Sequence, residues 1–378
     1  MIACDRLRAC LKPVLARDSA AAYENAGRGE QAVKTVSDKP FDYWTFFVED
    51  AKKVGSPLYT RFAEGIRDDE DLKALASRAR KGQPPANMIL GAVHFLLLRG
   101  AEHPLRRHYL DLGGDAPPGE DPFALLKDFV GLHRDAISHL IETRVTNTNE
   151  VGRSAILHAG FRALTEAAAA PLHLVEIGPS AGLNMIWDRY GVRYLKGGAA
   201  AAFVSPDAKL VIDCELRGEG MPPLHAAPDV RARVGLELNP ADLANDDDRD
   251  WLRALMWPDQ VARMRRLERA IELFAAEHPR ILSGDALDLL PEALAEIPLD
   301  RVACVYHTIA VYQFSHDMKE ALENILIVAG LRRPVWRLSF EFDGKDCVVL
   351  LIRYADGARD ERLLAHAHPH GTWLEWLA

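Results

Sequence analysis

Glu176, Gly178, Ser180 and Gly182 stand in one string, Glu-Ile-Gly-Pro-Ser-Ala-Gly, at the end of the apolar run Leu172–Ile177. A strand that delivers an acid into a glycine-rich turn is suited to hold a nucleotide-like cofactor. Glycine lets the backbone take positive φ and come close to a ligand. A helix that follows then offers unbonded N–H groups and the positive end of its dipole to an anion. The same glycines would also serve a tight strand-to-helix turn that binds nothing. Two more carboxylates close later strand-like runs: Glu237 in Val-Gly-Leu-Glu-Leu-Asn-Pro and Asp285 in Ser-Gly-Asp-Ala-Leu. A fourth run ends at His307, where an imidazole could take a proton from an oxygen or nitrogen nucleophile. Tyr312 follows and could line the same pocket. Both could equally be ordinary hydrogen-bonded residues at a strand end.

Upstream, Thr146-Asn-Thr-Asn-Glu-Val-Gly-Arg153 is unusually polar for a link between two helices. Arg144 or Arg153 could grip a carboxylate with the planar fork of a guanidinium, and Asn149 and Glu150 could meet a substrate. The alternative is a capping loop, with Thr148 or Asn149 as N-cap and Glu150 closing the first turn. Earlier still, Asn87, His94, His103 and His108 suggest a polar face on a helical stretch, with Asn87 and His94 as substrate contacts. No HxH or HExxH with a carboxylate occurs in a suitable helix, so no metal site is expected. His366, His368 and His370 alternate as in a strand, which points to one solvated edge.

These residues need elements to position them. The chain has 378 residues, 48% of them hydrophobic and 27% charged, the balance of a soluble globular protein. Its formal charge of −9 comes without a dense Lys/Arg block, which argues against a non-specific nucleic-acid surface. Five scattered cysteines without a CxxC fit a reduced, cytoplasmic setting rather than a disulfide framework. No apolar run is long enough to span a bilayer. The expected partner is a small molecule.

Residues 1–40 show little periodicity and read as an N-terminal extension. From 41 to 150 the pattern is helical. Ser56-Pro57 is an N-cap followed by proline at the first helical position. Ala86–Arg99, closed by Gly100, is apolar nearly all round and belongs at a helical core. Asp121-Pro122 opens a helix over Phe123–Glu142. From Leu172 onward, apolar and β-branched runs alternate with helical stretches: Leu172–Ile177, Val234–Leu238, Arg280–Ser283, Val302–Tyr306, Val335–Phe342 and Cys347–Tyr354. That alternation predicts parallel crossovers and an α/β sheet. The Asp343-Gly344 turn predicts an antiparallel hairpin at its end, and Thr372–Leu377 would be a further edge strand.

The string at Glu176 resembles the first motif of S-adenosylmethionine-dependent methyltransferases, with Ser180 where a glycine is usual. The resemblance implies that Gly178, Ser180 and Gly182 cradle the methionine end of the cofactor, that Glu237 accepts bonds from its ribose and that Asp285 meets its adenine. It also implies that Arg153 pairs with its carboxylate. Glu176 and Glu237 are 61 residues apart, against roughly 20 in dinucleotide-binding units, so 192–232 reads as an insertion, as does 246–277. From near Phe46 to about Phe342, and more weakly beyond, the chain resembles the bacterial family of domain of unknown function 2332. The strings that carry this are Gly55-Ser-Pro-Leu-Tyr59, Gln83-Pro-Pro-Ala-Asn87, Thr146–Arg153, Asp188-Arg-Tyr190 and Trp251-Leu-Arg-Ala-Leu-Met-Trp-Pro258. Together these predict a Rossmann-like methyltransferase sheet over 151–378, mostly parallel with an antiparallel C-terminal hairpin, and an all-helical cap over 41–150. The expected function is methyl transfer from S-adenosylmethionine to an unknown acceptor. A non-catalytic methyltransferase-like binding protein and an NAD-binding reductase are the alternatives.

Overall fold

The computed structural model describes residues 42–117, 119–344 and 346–378. The N-terminal extension predicted over 1–40 lies outside the described residues. By its internal contacts the chain divides into two units. One holds Asn149–Pro240 with Ala270–Ala378; the other holds the described part of Val33–Thr148 with Ala241–Arg269.

The second unit is helical: α1 (Tyr43–Val54), α2 (Pro57–Arg67), α3 (Glu70–Ala76), α4 (Pro85–Leu98), α5 (Pro122–Leu132) and α6 (Arg134–Thr143). Its starts follow the capping chemistry read from sequence. Ser56 accepts the Tyr59 N–H ahead of Pro57, and Asp121 accepts the Phe123 N–H ahead of α5. α4 is buried along most of its length, as its all-round apolar surface requires. The single helix expected over Phe123–Glu142 is broken at His133, whose ψ of 21° leaves the helical range and separates α5 from α6.

The other unit begins with α7 (Ser154–Ala168) and continues through β1 (Leu172–Ile177), β2 (Gly191–Lys196), β3 (Ala199–Val204), β4 (Val211–Arg217) and β5 (Val230–Glu237). α8 (Asp246–Ala254) belongs to the helical unit, and the division falls within α9 (Val261–Glu277). Then come β6 (Arg280–Ser283), α10 (Ala286–Ala295), β7 (Val302–Thr308), α11 (His316–Gly330), β8 (Val335–Phe342), β9 (Cys347–Ala355), β10 (Ala358–Ala367) and β11 (Trp373–Trp376). Among the described residues, eleven strands form one sheet in the order β3-β2-β4-β11-β10-β9-β8-β7-β1-β5-β6. The run β6-β5-β1-β7-β8 is parallel throughout; β8 and β9 pair antiparallel as the hairpin signal predicts, and β10 adds to β9, also antiparallel.

Alternation along the strands sorts the two faces. Val175, Ile177, Val305 and Val335 enter an apolar cluster with α10 and α11. On the other face, Tyr306 meets Phe161 of α7, which stacks on Trp187.

Four expectations change. The turn after β1 leads into a 3-10 segment, Leu183–Arg189, broken at Ile186, rather than into an α-helix. Leu183 to Trp187 are all buried, so most of the segment is wrapped into the core and only its end at Arg189 reaches solvent. The stretch 192–232, read as an insertion, supplies β2, β3 and β4, the far end of the same sheet. The last strand is interior, β11 lying between β4 and β10. His366 therefore sits in an interior strand, paired with Val348 and Glu375, while His368 and His370 turn out of it.

Candidate functional site

β1 lies between β5 and β7, and strand order reverses there. In an open α/β sheet, loops leave such a point in opposite directions, and ligands bind outside the carboxyl ends of the strands. Glu176 on β1, Glu237 on β5, Asp285 just past β6 and His307 on β7 all stand at this end.

The turn after β1 takes positive φ at Gly178 (69°), Ser180 (59°) and Gly182 (86°). A Cβ on Gly178 would lie 2.8 Å from the Ala310 Cβ, and one on Gly182 would lie 2.9 Å from Ile281 and Phe274. The protein's own packing thus requires these glycines, independently of any ligand. The N–H groups have partners too. Gly178 donates to the Leu236 carbonyl at 3.0 Å, Ser180 to Glu237 Oε2 at 2.8 Å and Leu183 to Asn149 Oδ1 at 2.9 Å. Asn149 therefore fastens the loop instead of capping a helix of its own. Its neighbour Glu150 accepts the Gly152 N–H at 3.0 Å and pairs with His370 at 3.2 Å. Asn184 completes the tie, donating to the Glu150 carbonyl and accepting from Ser154.

Glu237 accepts on both oxygens, the second from the Asn239 N–H at 3.1 Å. Asp285 caps α10 through Oδ1, which accepts the Leu287 N–H at 2.8 Å. Glu176 is almost fully buried on the α7 face and accepts from the Tyr306 hydroxyl at 2.8 Å. Burial pushes its carboxyl up to about 8; the Tyr306 bond opposes this and the charge of Glu237 adds to it. Arg153 spends Nε on the Pro369 carbonyl and Nη1 on the Thr308 carbonyl, each at 2.8 Å, so two arms of its fork tie strand ends together. Arg144 is in the helical unit, paired with Asp248 at 2.5 Å and lying over Trp251.

His307 is fully buried, and both ring nitrogens are engaged. Arg337 Nε donates to Nε2 at 2.9 Å, which makes Nε2 the acceptor and leaves Nδ1–H to donate to Glu341 Oε1 at 2.6 Å. Burial, and then the charge of Arg337, lower the His307 pKa and keep the ring neutral. Glu341 also accepts the N–H groups of Ala310, Val311 and Tyr312 at 2.9, 3.0 and 3.1 Å. Burial acts to raise its carboxyl, but His307 and these N–H groups outweigh burial and hold it below the usual range. Arg337 continues to Glu323 on α11 at 2.5 Å. This chain of charges is absent from the sequence reading, although one signal was available: Arg337, Ser339 and Glu341 put three polar groups in succession on one face of a central strand.

Tyr312 is half exposed and packs edge-on against Phe342, 5.9 Å between ring centres. The remaining predicted residues belong to the helical unit. His94 is fully buried, with Nδ1 at 3.1 Å from the Ala254 carbonyl and Nε2 at 2.8 Å from Asp111. Asn87 is partly buried on α4, and its Oδ1 has no partner among the described residues. Among the described residues, no helix is long and apolar enough to cross a membrane.

A large, mostly parallel α/β sheet with acids at the ends of neighbouring strands defines the class of this protein. The chain belongs to the family described as "Uncharacterized protein conserved in bacteria (DUF2332)", which it matches over residues 43–376. No curated protein and no solved structure matches it.

Proposed function

We propose that the sheet unit binds S-adenosylmethionine at the ends of β1, β5 and β6 and transfers its methyl group to a small-molecule acceptor. The observation that carries this reading is the order of three acids. Glu176, Glu237 and Asp285 close three neighbouring parallel strands beside the reversal of strand order, in the succession that the methyltransferase motifs imply. The antiparallel β9 beside β8 supports the same reading.

The donor and acceptor sets fit the cofactor. An ionised carboxylate has about four acceptor sites, and among the described residues Glu237 uses two, on Ser180 and Asn239, so it can still accept from ribose hydroxyls. Asp285 keeps Oδ2 for an amino group while Oδ1 caps α10. Bound there, the cofactor would supply an electrophilic methyl carbon. The chain's own part is positioning. Asn149 and Glu237 hold the β1 loop, Arg153 ties the end of β7 to the turn at Pro369, and His307 acts through Glu341 on the loop Ile309–Tyr312. Near neutral pH the buried Glu176 keeps its proton and stays bonded to the Tyr306 hydroxyl beneath the loop.

A second reading, a methyltransferase-like protein that binds without catalysis, is favoured by the loop's internal bonding, since Gly178, Ser180 and Leu183 already have acceptors. Calorimetric titration with S-adenosylmethionine, S-adenosylhomocysteine and NAD tests both. The expected result is micromolar binding of the two adenosyl ligands and none of NAD, with Glu237→Ala and Asp285→Ala each weakening it by about tenfold or more. Absence of heat with either adenosyl ligand would sink the methyltransferase reading. Binding with no methyl incorporation into any acceptor pool would move the protein to the second.

A further inference from the structure

A groove of about 520 Å³ opens between α11 and the outer end of β8. Tyr312, Lys319, Asn324, Arg337, Ser339 and Phe342 line it. Two of these are strand residues that a sheet face packed under a helix would normally make apolar. Arg337 is 8% exposed and Ser339 5%, so the floor of the groove is a buried guanidinium and a buried hydroxyl. Placing such groups under a helix costs stability unless they are paired, and their pairing shows what remains for a guest.

Of the three acids lining the groove, Glu341 and Glu323 are already occupied and Glu320 stands in solvent at the rim. Glu341 holds His307 and three loop N–H groups. Glu323 accepts from Arg337 and from the Tyr354 hydroxyl and lies 3.4 Å from Arg359. Glu320 faces His316 at 3.6 Å. On the donor side, the side chains of Lys319, Asn324 and Ser339 have no partner among the described residues, and Tyr312 contributes only its ring to Phe342. After internal pairing the groove offers an ammonium, an amide, a hydroxyl and the edge of a guanidinium beside an aromatic wall. That set recognises an anion carrying an apolar body.

We propose that this groove binds a small organic acid. Lys319, Ser339 and Asn324 meet its carboxylate or phosphate head at the edge of Arg337, and its apolar part lies along Tyr312 and Phe342. The site does not depend on the cofactor at the ends of β1 and β5. An occupant drawing on Arg337 also bears on the loop after β7, because the guanidinium holds His307, His307 donates to Glu341, and Glu341 carries the loop.

Benzoate and phenyl phosphate separate the two head groups, and benzamide has the same ring without the charge. Calorimetry and thermal melting of the full chain with each probe are expected to show binding by at least one acid and none by benzamide. Lys319→Glu and Ser339→Ala are each expected to weaken that binding by about tenfold. Lys319 is exposed on α11, so its substitution leaves the fold intact. Failure of both acids to bind overturns the proposal, and so does acid binding that neither substitution changes.

Discussion

Two loops leave neighbouring parallel strands at the point of reversal, and each is held by a glutamate from the strand outside it. Glu237 on β5 takes one N–H of the loop after β1, whereas Glu341 on β8 takes three N–H groups of the loop after β7. The difference lies in what else each carboxylate does. Glu341 is buried, its charge answered by a hydrogen-bonded imidazole and, through it, a guanidinium. Glu237 is partly exposed, with acceptor capacity left over. The same device, a carboxylate on backbone N–H groups, thus serves as fixed support in one place and stays available to a ligand in the other.

Removing each anchor should break the symmetry of the pair. Glu341→Ala leaves the buried Nδ1–H of His307 and three loop N–H groups without their acceptor and is expected to cost about 3–5 kcal/mol. Glu237→Ala exposes N–H groups that water can reach and should cost about 1 kcal/mol. Urea unfolding of both variants decides the matter, and equal losses would refute the contrast.

Glu176, between the two loops, sharpens it. Its folded-state pKa, about 8, lies above the usual 4.5. Between those values the folded chain keeps a proton that the unfolded chain has released. The contribution to stability is therefore full below about pH 4.5 and is lost as pH rises through about 8, with a slope of up to about 1.4 kcal/mol per pH unit. Glu176→Gln should flatten that slope in unfolding measured from pH 5 to 9; an unchanged profile would mean that the carboxyl is ionised throughout.

The smallest effect concerns Ser180, a non-glycine residue at φ 59°. Ser180→Gly relieves a left-handed backbone at a gain of at most about 1 kcal/mol. Thermal melting should show little change or a slight rise; a fall of several degrees would show that the side chain fastens the loop.

The parallel strands were legible because β1, β5, β6, β7 and β8 are short apolar runs separated by helical stretches, and Glu176, Glu237 and Asp285 stood out as acids closing such runs. β3 was hidden because Ala199-Ala-Ala-Ala-Phe-Val204 has little of the β-branched character that marks strands. β10 was hidden because Ala358-Arg-Asp-Glu-Arg362 reads as a charged helix, and its pairing with β9 is tertiary. The α-helix expected after Gly182 is replaced by the 3-10 segment broken at Ile186, whose first N–H, on Leu183, bonds to Asn149 more than thirty residues upstream. Glu341 escaped notice because a carboxylate inside a strand marks a site only once the backbone it carries is seen.

β11 gives the sheet a dependence on the order of synthesis. Its four residues, Trp373–Trp376, form the strand that pairs with both β4 and β10 among the described residues. Of the eleven strands it is the last to leave the ribosome. Until then β4 and β10 each present an open edge, the kind of surface on which chains aggregate. The strand that closes the gap is shorter than most of those it joins. Arg217 packs over the Trp373 ring at 4.0 Å, and Gly371 stands so close to the Gly152 carbonyl that a Cβ there would lie 2.0 Å from the oxygen. A nascent chain cut just before Trp373 would carry every residue of the candidate site and still leave its sheet in two pieces.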